Sequence, residues 1–182
     1  MSLITLVDPD TTTGRTKEQL DEIKAAFGTV PAMFKTVANS PAALTSMWGA
    51  FGAFGSSSAL GAALGEQIAV AVANRNACEY CLAAHSALGR KAGVSRDVMA
   101  AAQVGESDDP RTAAILAFAL ELVEKRGQLE AEDVERVRAQ GVSDEEIVEI
   151  VAQVALNLFT NYVNVALAVP VDFPTVSLRR AA

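Results

Sequence analysis

At 182 residues the chain is long enough to form one domain of ordinary size around a sizeable core. Apolar residues make up 51% and aromatic residues only 5%, so alanine, valine and leucine must fill the interior, a composition suited to helix packing. The net charge of -7 and pI near 4.7 argue against a nucleic-acid binder, where a basic stripe is expected.

In chain order, Met1-Ser2-Leu3-Ile4-Thr5-Leu6-Val7 lacks a basic n-region and its apolar stretch stops at Asp8, so it does not read as a signal peptide. A cytoplasmic, reducing compartment is expected. Residues 1–15 read as an N-terminal extension. Thr16 with Gln19 forms a capping box, and the helix it starts runs to Phe27, with Gly28 as its stop. Val30-Pro31 opens a short segment, and Ser40-Pro41 caps a helix reaching about Phe54. Gly55-Ser56-Ser57-Ser58 reads as a loop. Further helices are predicted over roughly 60–74, 78–91 and 95–103, and from Asp109-Pro110 to Arg126 before Gly127. Another spans Glu130 to Ala139, and Ser143 with Glu146 caps the last. No strand-like alternation survives, so the expected fold is an all-α, single-domain helical bundle over 1–182, with 175–182 as a tail.

The last helix raises the membrane question, because residues 150–169 carry no charge. Yet Gln153, Asn157, Thr160, Asn161 and Asn164 recur every three or four positions as a polar stripe. Such a stripe suits a buried interface with hydrogen-bonding partners better than lipid. A helix apolar nearly all round it is expected to be central, or buried in a homo-oligomer.

The chemistry concentrates in Cys78-Glu79-Tyr80-Cys81 and His85, which hold both cysteines and the only histidine. On a helix turning about 100° per residue, Cys78, Cys81 and His85 share an arc of roughly 60°, while Tyr80 points elsewhere. A thiolate is the reactive form of cysteine, and a helix N-terminus and a nearby imidazole both favour it. A second thiol within one turn permits reversible disulfide formation. Glu66 is the only acid between Lys35 and Glu79 and lies in an apolar run that reads as buried, where its pKa should rise toward that of a general base. Asn74-Arg75-Asn76 interrupts that run, so the two helices fold back and bring Glu66 to the cysteine face.

Glu66, Cys78, Cys81 and His85, in Glu-x11-Cys-x-x-Cys-x-x-x-His, resemble the core of the alkylhydroperoxidase D (AhpD)-like proteins of the carboxymuconolactone decarboxylase superfamily. Four flanks resemble its peroxidase-related branch: Val30–Phe34, Ala84–Gly93, Asn157–Tyr162 and Val171–Pro174. The resemblance implies an AhpD-like helical bundle that reduces hydroperoxides, a peroxiredoxin-type activity. It implies Cys81 as the attacking thiolate, Cys78 as the resolving thiol, and Glu66 with His85 as a proton relay. It also implies a dithiol reductant and assembly as a dimer, trimer or hexamer. Tyr80 and Val165 stand where relatives carry further histidines, which makes Tyr80 a secondary candidate and leaves His85 alone.

No organic cofactor is needed for this chemistry, and no glycine-rich nucleotide fingerprint is present. Other readings remain open. Cys78, Cys81, His85 and Glu66 could make four zinc ligands, although structural zinc usually clips irregular segments rather than apolar helices. The cysteines could be a buried structural pair, and Glu66 a structurally paired acid. A lactone decarboxylase would keep the fold without using both cysteines, and a redox sensor or helical oligomer would form the disulfide without turnover.

Overall fold

The structure is a computed structural model that describes residues 2–179. Among these residues there are nine α-helices and no strand: α1 (Gly14–Phe27), α2 (Ala32–Val37), α3 (Pro41–Ser57), α4 (Ala62–Arg75), α5 (Glu79–Lys91), α6 (Arg96–Ala102), α7 (Pro110–Glu124), α8 (Ala131–Arg138) and α9 (Asp144–Ala166). The all-α reading holds. Met1 and residues 180–182, the outer ends of the expected extension and tail, lie outside the described residues. Between those ends both segments are tied to the body. Leu3 and Val7 donate backbone hydrogen bonds to Leu167 and Lys35 at 2.9 and 3.0 Å. The Asn74 side chain brackets the Arg179 backbone with two bonds of 2.8 Å.

The caps explain most boundaries. Ser40 Oγ and Ser143 Oγ accept from Ala43 and Glu146 N–H at 3.3 and 3.2 Å, and the Glu146 carboxylate returns a bond to Ser143 N–H at 2.9 Å. The Thr16–Gln19 box does not form: the N-cap is Thr13, three residues earlier, and α1 begins at Gly14. Gln19 is buried, and its Oε1 accepts from Thr45 Oγ1 at 3.0 Å, joining α1 to α3. Gly28 ends α1 in the left-handed region at φ 80°, as expected. The predicted loop at Gly55–Ser58 is helical as far as Ser57.

Helix α4 is the hub, buried at every position from Gln67 to Ala73 and packed on α5, α6, α7 and α9. The polar stripe of α9 faces inward: Gln153, Asn157, Thr160, Asn161 and Asn164 are all buried. Its opposite face is not, since Val148, Val151, Tyr162 and Val165 are exposed, so α9 is not enclosed within the single chain. No helix among the described residues is long and apolar enough to cross a membrane.

Helix α3 is packed more loosely than its sequence suggests. It buries only Leu44 and Met47, while Trp48, Phe51 and Phe54 are half-buried. Phe27, Phe34, Trp48 and Phe51 form an aromatic cluster, with ring centroids 5.7–6.5 Å apart. Gly49 and Gly52 are exposed inside this helix, and a Cβ at either would meet no atom within 4 Å. Glycine costs a helix interior roughly 0.5–1 kcal/mol relative to alanine. Gly49→Ala and Gly52→Ala are therefore each expected to stabilise the protein by about that amount, as read by urea denaturation. A lowered denaturation midpoint would show that α3 is packed against something at these positions.

Candidate active site

The turn between α4 and α5 places the first cysteine. Ala77 takes up the left-handed region at φ 52°, and Cys78 N–H donates back to Ala73 O at 2.9 Å, closing α4 with a Schellman-type turn. Cys78 thus becomes the N-cap of α5 rather than part of it, with φ -89° and ψ 91°. Cys81 and His85 therefore share a helical arc, as expected, whereas Cys78 lies outside the helix. The two sulfurs meet for a different reason: a cap side chain curls over the first turn. Cys78 Sγ accepts from Cys81 N–H at 3.3 Å and donates to Cys81 Sγ at 2.6 Å. Both cysteines are free thiols and buried.

The fold-back of α4 on α5 brings Glu66 and His85 together, with Glu66 Oε2 2.8 Å from His85 Nδ1. A carboxylate only accepts, so Nδ1 carries the proton and the other ring nitrogen is left for proton traffic. Glu66 is less enclosed than the apolar run suggests, with its side chain 21% exposed. Burial alone would lower the His85 pKa, but the Glu66 charge and hydrogen bond, together with the Cys81 charge, hold it above its ordinary value.

The two thiols are strongly unequal. Cys81 is lowered to about 6, first by the hydrogen bond from Cys78, then against burial by the His85 charge and by the Asn164 and Asn161 amides. The same hydrogen bond and burial push Cys78 upward. Asn164 Nδ2 donates to Cys81 Sγ at 3.1 Å from 83 residues away. Asn161 Oδ1 accepts from Asn76 Nδ2 at 2.9 Å, and its own amide nitrogen lies near the sulfur without reaching hydrogen-bond geometry. The α9 stripe is visible in the sequence, but its target is not. The signal was present in the three- and four-residue spacing, which does not say which helix the stripe faces.

A pH prediction follows. A group whose pKa is depressed is ionised above the lowered value, so Cys81 should gain reactivity as pH rises through about 6 and then level off, well below the rise for Cys78. Iodoacetamide labelling against pH, with the modified residue assigned by mass spectrometry, measures this. Cys78→Ala removes the leading cause and should move the Cys81 midpoint upward. Preferential labelling of Cys78 at pH 7 would reverse the assignment.

Cys81 and His85 border a cavity of about 30 Å³, walled by Phe27, Phe34, Phe51, Leu88 and Phe173. That volume holds about one water molecule. Tyr80 lines it too, although the helical count pointed it elsewhere; its hydroxyl accepts from Met33 N–H at 3.3 Å and its ring meets Phe173 edge-on at 5.7 Å. A second cavity, of about 230 Å³, reaches Glu66 and His85 past Gly61, Gln153 and Asn157. The two share Phe27, Phe51, His85 and Leu88. Among the described residues, no group of three or more His, Cys, Asp or Glu could hold a metal ion.

Residues 41–125, which contain Glu66, Cys78, Cys81 and His85, match the carboxymuconolactone decarboxylase family. A peroxidase-related protein from Ralstonia eutropha JMP134, described as an alkylhydroperoxidase AhpD core, superposes with a TM-score of 0.86 at 24% identity, over 94% of this chain and 92% of that one. A second peroxidase-related protein, from Silicibacter sp. TM1040, gives 0.81 at 24% identity over 97% and 92%. A cysteine-to-alanine variant of the debrominase Bmp8, in complex with 2,3,4-tribromopyrrole, gives 0.77 at 23% identity over 94% of each chain. A comparison with curated proteins returns no match. The resemblance seen in the sequence is borne out: the segment holding all four residues matches the carboxymuconolactone decarboxylase family model, and the fold is AhpD-like.

Proposed function

We propose that this protein is a thiol-dependent hydroperoxide reductase that cycles through a Cys78–Cys81 disulfide. The observation that carries the reading is the environment of Cys81: a thiol lowered to about 6, hydrogen-bonded by Cys78 and Asn164, at the wall of an apolar cavity it shares with His85. The Cys81 thiolate attacks the terminal peroxide oxygen. The O–O bond breaks, an S–O bond forms, and the alkoxide takes a proton from the His85 imidazolium, which Glu66 holds in place. Cys78 sulfur then displaces the sulfenic hydroxyl as water, giving the disulfide, and an external dithiol restores both thiols while becoming a disulfide itself. The cycle supposes a reducing compartment and needs no organic cofactor. The peroxidase-related solved structures agree with it.

The test is consumption of tert-butyl hydroperoxide by purified protein with a panel of dithiols, with Cys81→Ser as control. Wild-type consumption no faster than the dithiol alone would overturn the reading. A second reading is reductive dehalogenation by the same thiols, favoured by the likeness to a debrominase and by the aromatic cavity walls. Bromide release from a bromopyrrole, without peroxide consumption, would select it. Lactone decarboxylation rests on the family name alone, and would be indicated by turnover that survives loss of both cysteines. We further propose a homo-oligomer, with the exposed apolar face of α9 as the candidate contact.

A further inference from the structure

Three buried side-chain atoms have no hydrogen-bond partner among the described residues: Asn157 Oδ1, Asn161 Nδ2 and Asn164 Oδ1. Buried polar groups in folded proteins are normally paired, so each one points to something that completes it. Asn164 is the informative one. It is 4% exposed and lines the small cavity beside Cys81. Its Nδ2 is engaged by the Cys81 sulfur at 3.1 Å, which fixes the plane of the amide and holds its empty acceptor beside the reacting atom. The Phe27, Phe34, Phe51 and Leu88 walls have no polar side-chain atom with which to fill it. Thr160 also lines the cavity, but its hydroxyl proton is already donated to Asn157 O at 3.0 Å.

We infer that Asn164 is a substrate-binding residue whose Oδ1 accepts the O–H of a hydroperoxide while its Nδ2 steadies the sulfur that attacks the same oxygen. The inference rests on the hydroperoxide reading above. An alkyl hydroperoxide has one donor, on its terminal oxygen, and that oxygen is the one transferred to sulfur. Binding that donor aligns the O–O bond with Cys81 and leaves the alkyl group against the aromatic walls. As the O–O bond breaks, the hydrogen stays on the transferred oxygen. Asn164 therefore remains bonded to the hydroxyl of Cys81–S–OH until Cys78 displaces it. The thiolate is oxidised by two electrons, the peroxide is reduced to the alkoxide, and His85 supplies the alkoxide's proton. An electrophile without an O–H or N–H donor gains nothing from this contact.

The test compares two reactions of Cys81 in the full chain, with tert-butyl hydroperoxide and with methyl methanethiosulfonate, a thiol reagent that has no such donor. Each variant is measured at a pH where its own Cys81 is ionised, so that lost thiolate cancels in the ratio of rate constants. Asn164→Leu and Asn164→Ala are expected to lower the hydroperoxide-to-thiosulfonate ratio roughly tenfold, the usual effect of one lost hydrogen bond. The alanine variant carries the test if leucine does not fold, with near-UV circular dichroism as the check. An unchanged ratio in the folded variants overturns the role. So does a fall in Thr160→Val that Asn164→Ala does not show. If wild-type Cys81 prefers hydroperoxide no more than dithiothreitol does, the hydroperoxide reading itself fails, and that result is distinct from the others.

Discussion

Cys81→Ser is expected to abolish hydroperoxide consumption, whereas Cys78→Ser should stop turnover after a single event. The asymmetry follows from the unequal thiols. Cys81, lowered to about 6, is largely thiolate at neutral pH, while Cys78 is held as the protonated donor to it. Without Cys81 no ionised sulfur faces the cavity. Without Cys78 the sulfenic acid forms but nothing displaces its hydroxyl, so one equivalent of peroxide should be consumed and dimedone should trap the product. A serine at 78 can still donate a hydrogen bond, so the first event should slow less than in Cys78→Ala. Full turnover in Cys78→Ser would show that the external dithiol resolves Cys81 directly.

Glu66 and His85 are expected to act as one unit. Glu66→Gln and His85→Gln should each slow the oxidation of Cys81 by roughly 10²-fold, within the usual range for acid–base assistance, and the double variant should be little worse than either. The 2.8 Å contact is the reason: without the carboxylate the imidazole loses the partner that orients it and sustains its charge. The same contact makes a stability prediction. The His85 pKa is raised in the folded protein, so its stabilising contribution is fully present below the unfolded value of 6.5 and is lost as pH rises through the raised one. Glu66→Gln should flatten that limb of a melting-temperature profile. Additive losses, each only a few-fold, would leave Cys78 and the α9 amides as the agents that ionise Cys81.

Much of this arrangement was legible in local patterns. Capping residues such as Ser40 and Ser143 announce helix starts through bonds that span three residues. The meeting of Glu66 with His85 followed from a helix break at Asn74–Asn76, because two apolar helices joined by a short turn must fold together. Thr16 misled for a physical reason: Gln19, the other half of its apparent box, is taken up by Thr45 on a different helix. Asn164 and Cys81 are 83 residues apart, and a helical stripe carries no information about its partner. The cavity walls were equally hidden, since they come from α1, α2, α3 and α5 and the strap at Phe173.

The chamber beside Cys81, about 30 Å³ and partly open, is smaller than tert-butyl hydroperoxide, so a bulky peroxide is expected to react from a dilated state in which it merges with the adjoining cavity of about 230 Å³. The two phenyl rings it shares with the larger cavity, Phe27 and Phe51, sit next to the loosely packed half of α3. Amide hydrogens over residues 48–57 should accordingly exchange with solvent sooner than those of the fully buried stretch of α4. The population of the dilated state then scales the apparent affinity for every bulky peroxide by the same factor. At saturating peroxide, where opening becomes slower than the chemistry, rates for large substrates should converge on one ceiling, the frequency of helix breathing, whatever the strength of the O–O bond. Hydrogen peroxide, small enough for the undilated chamber, should escape that ceiling.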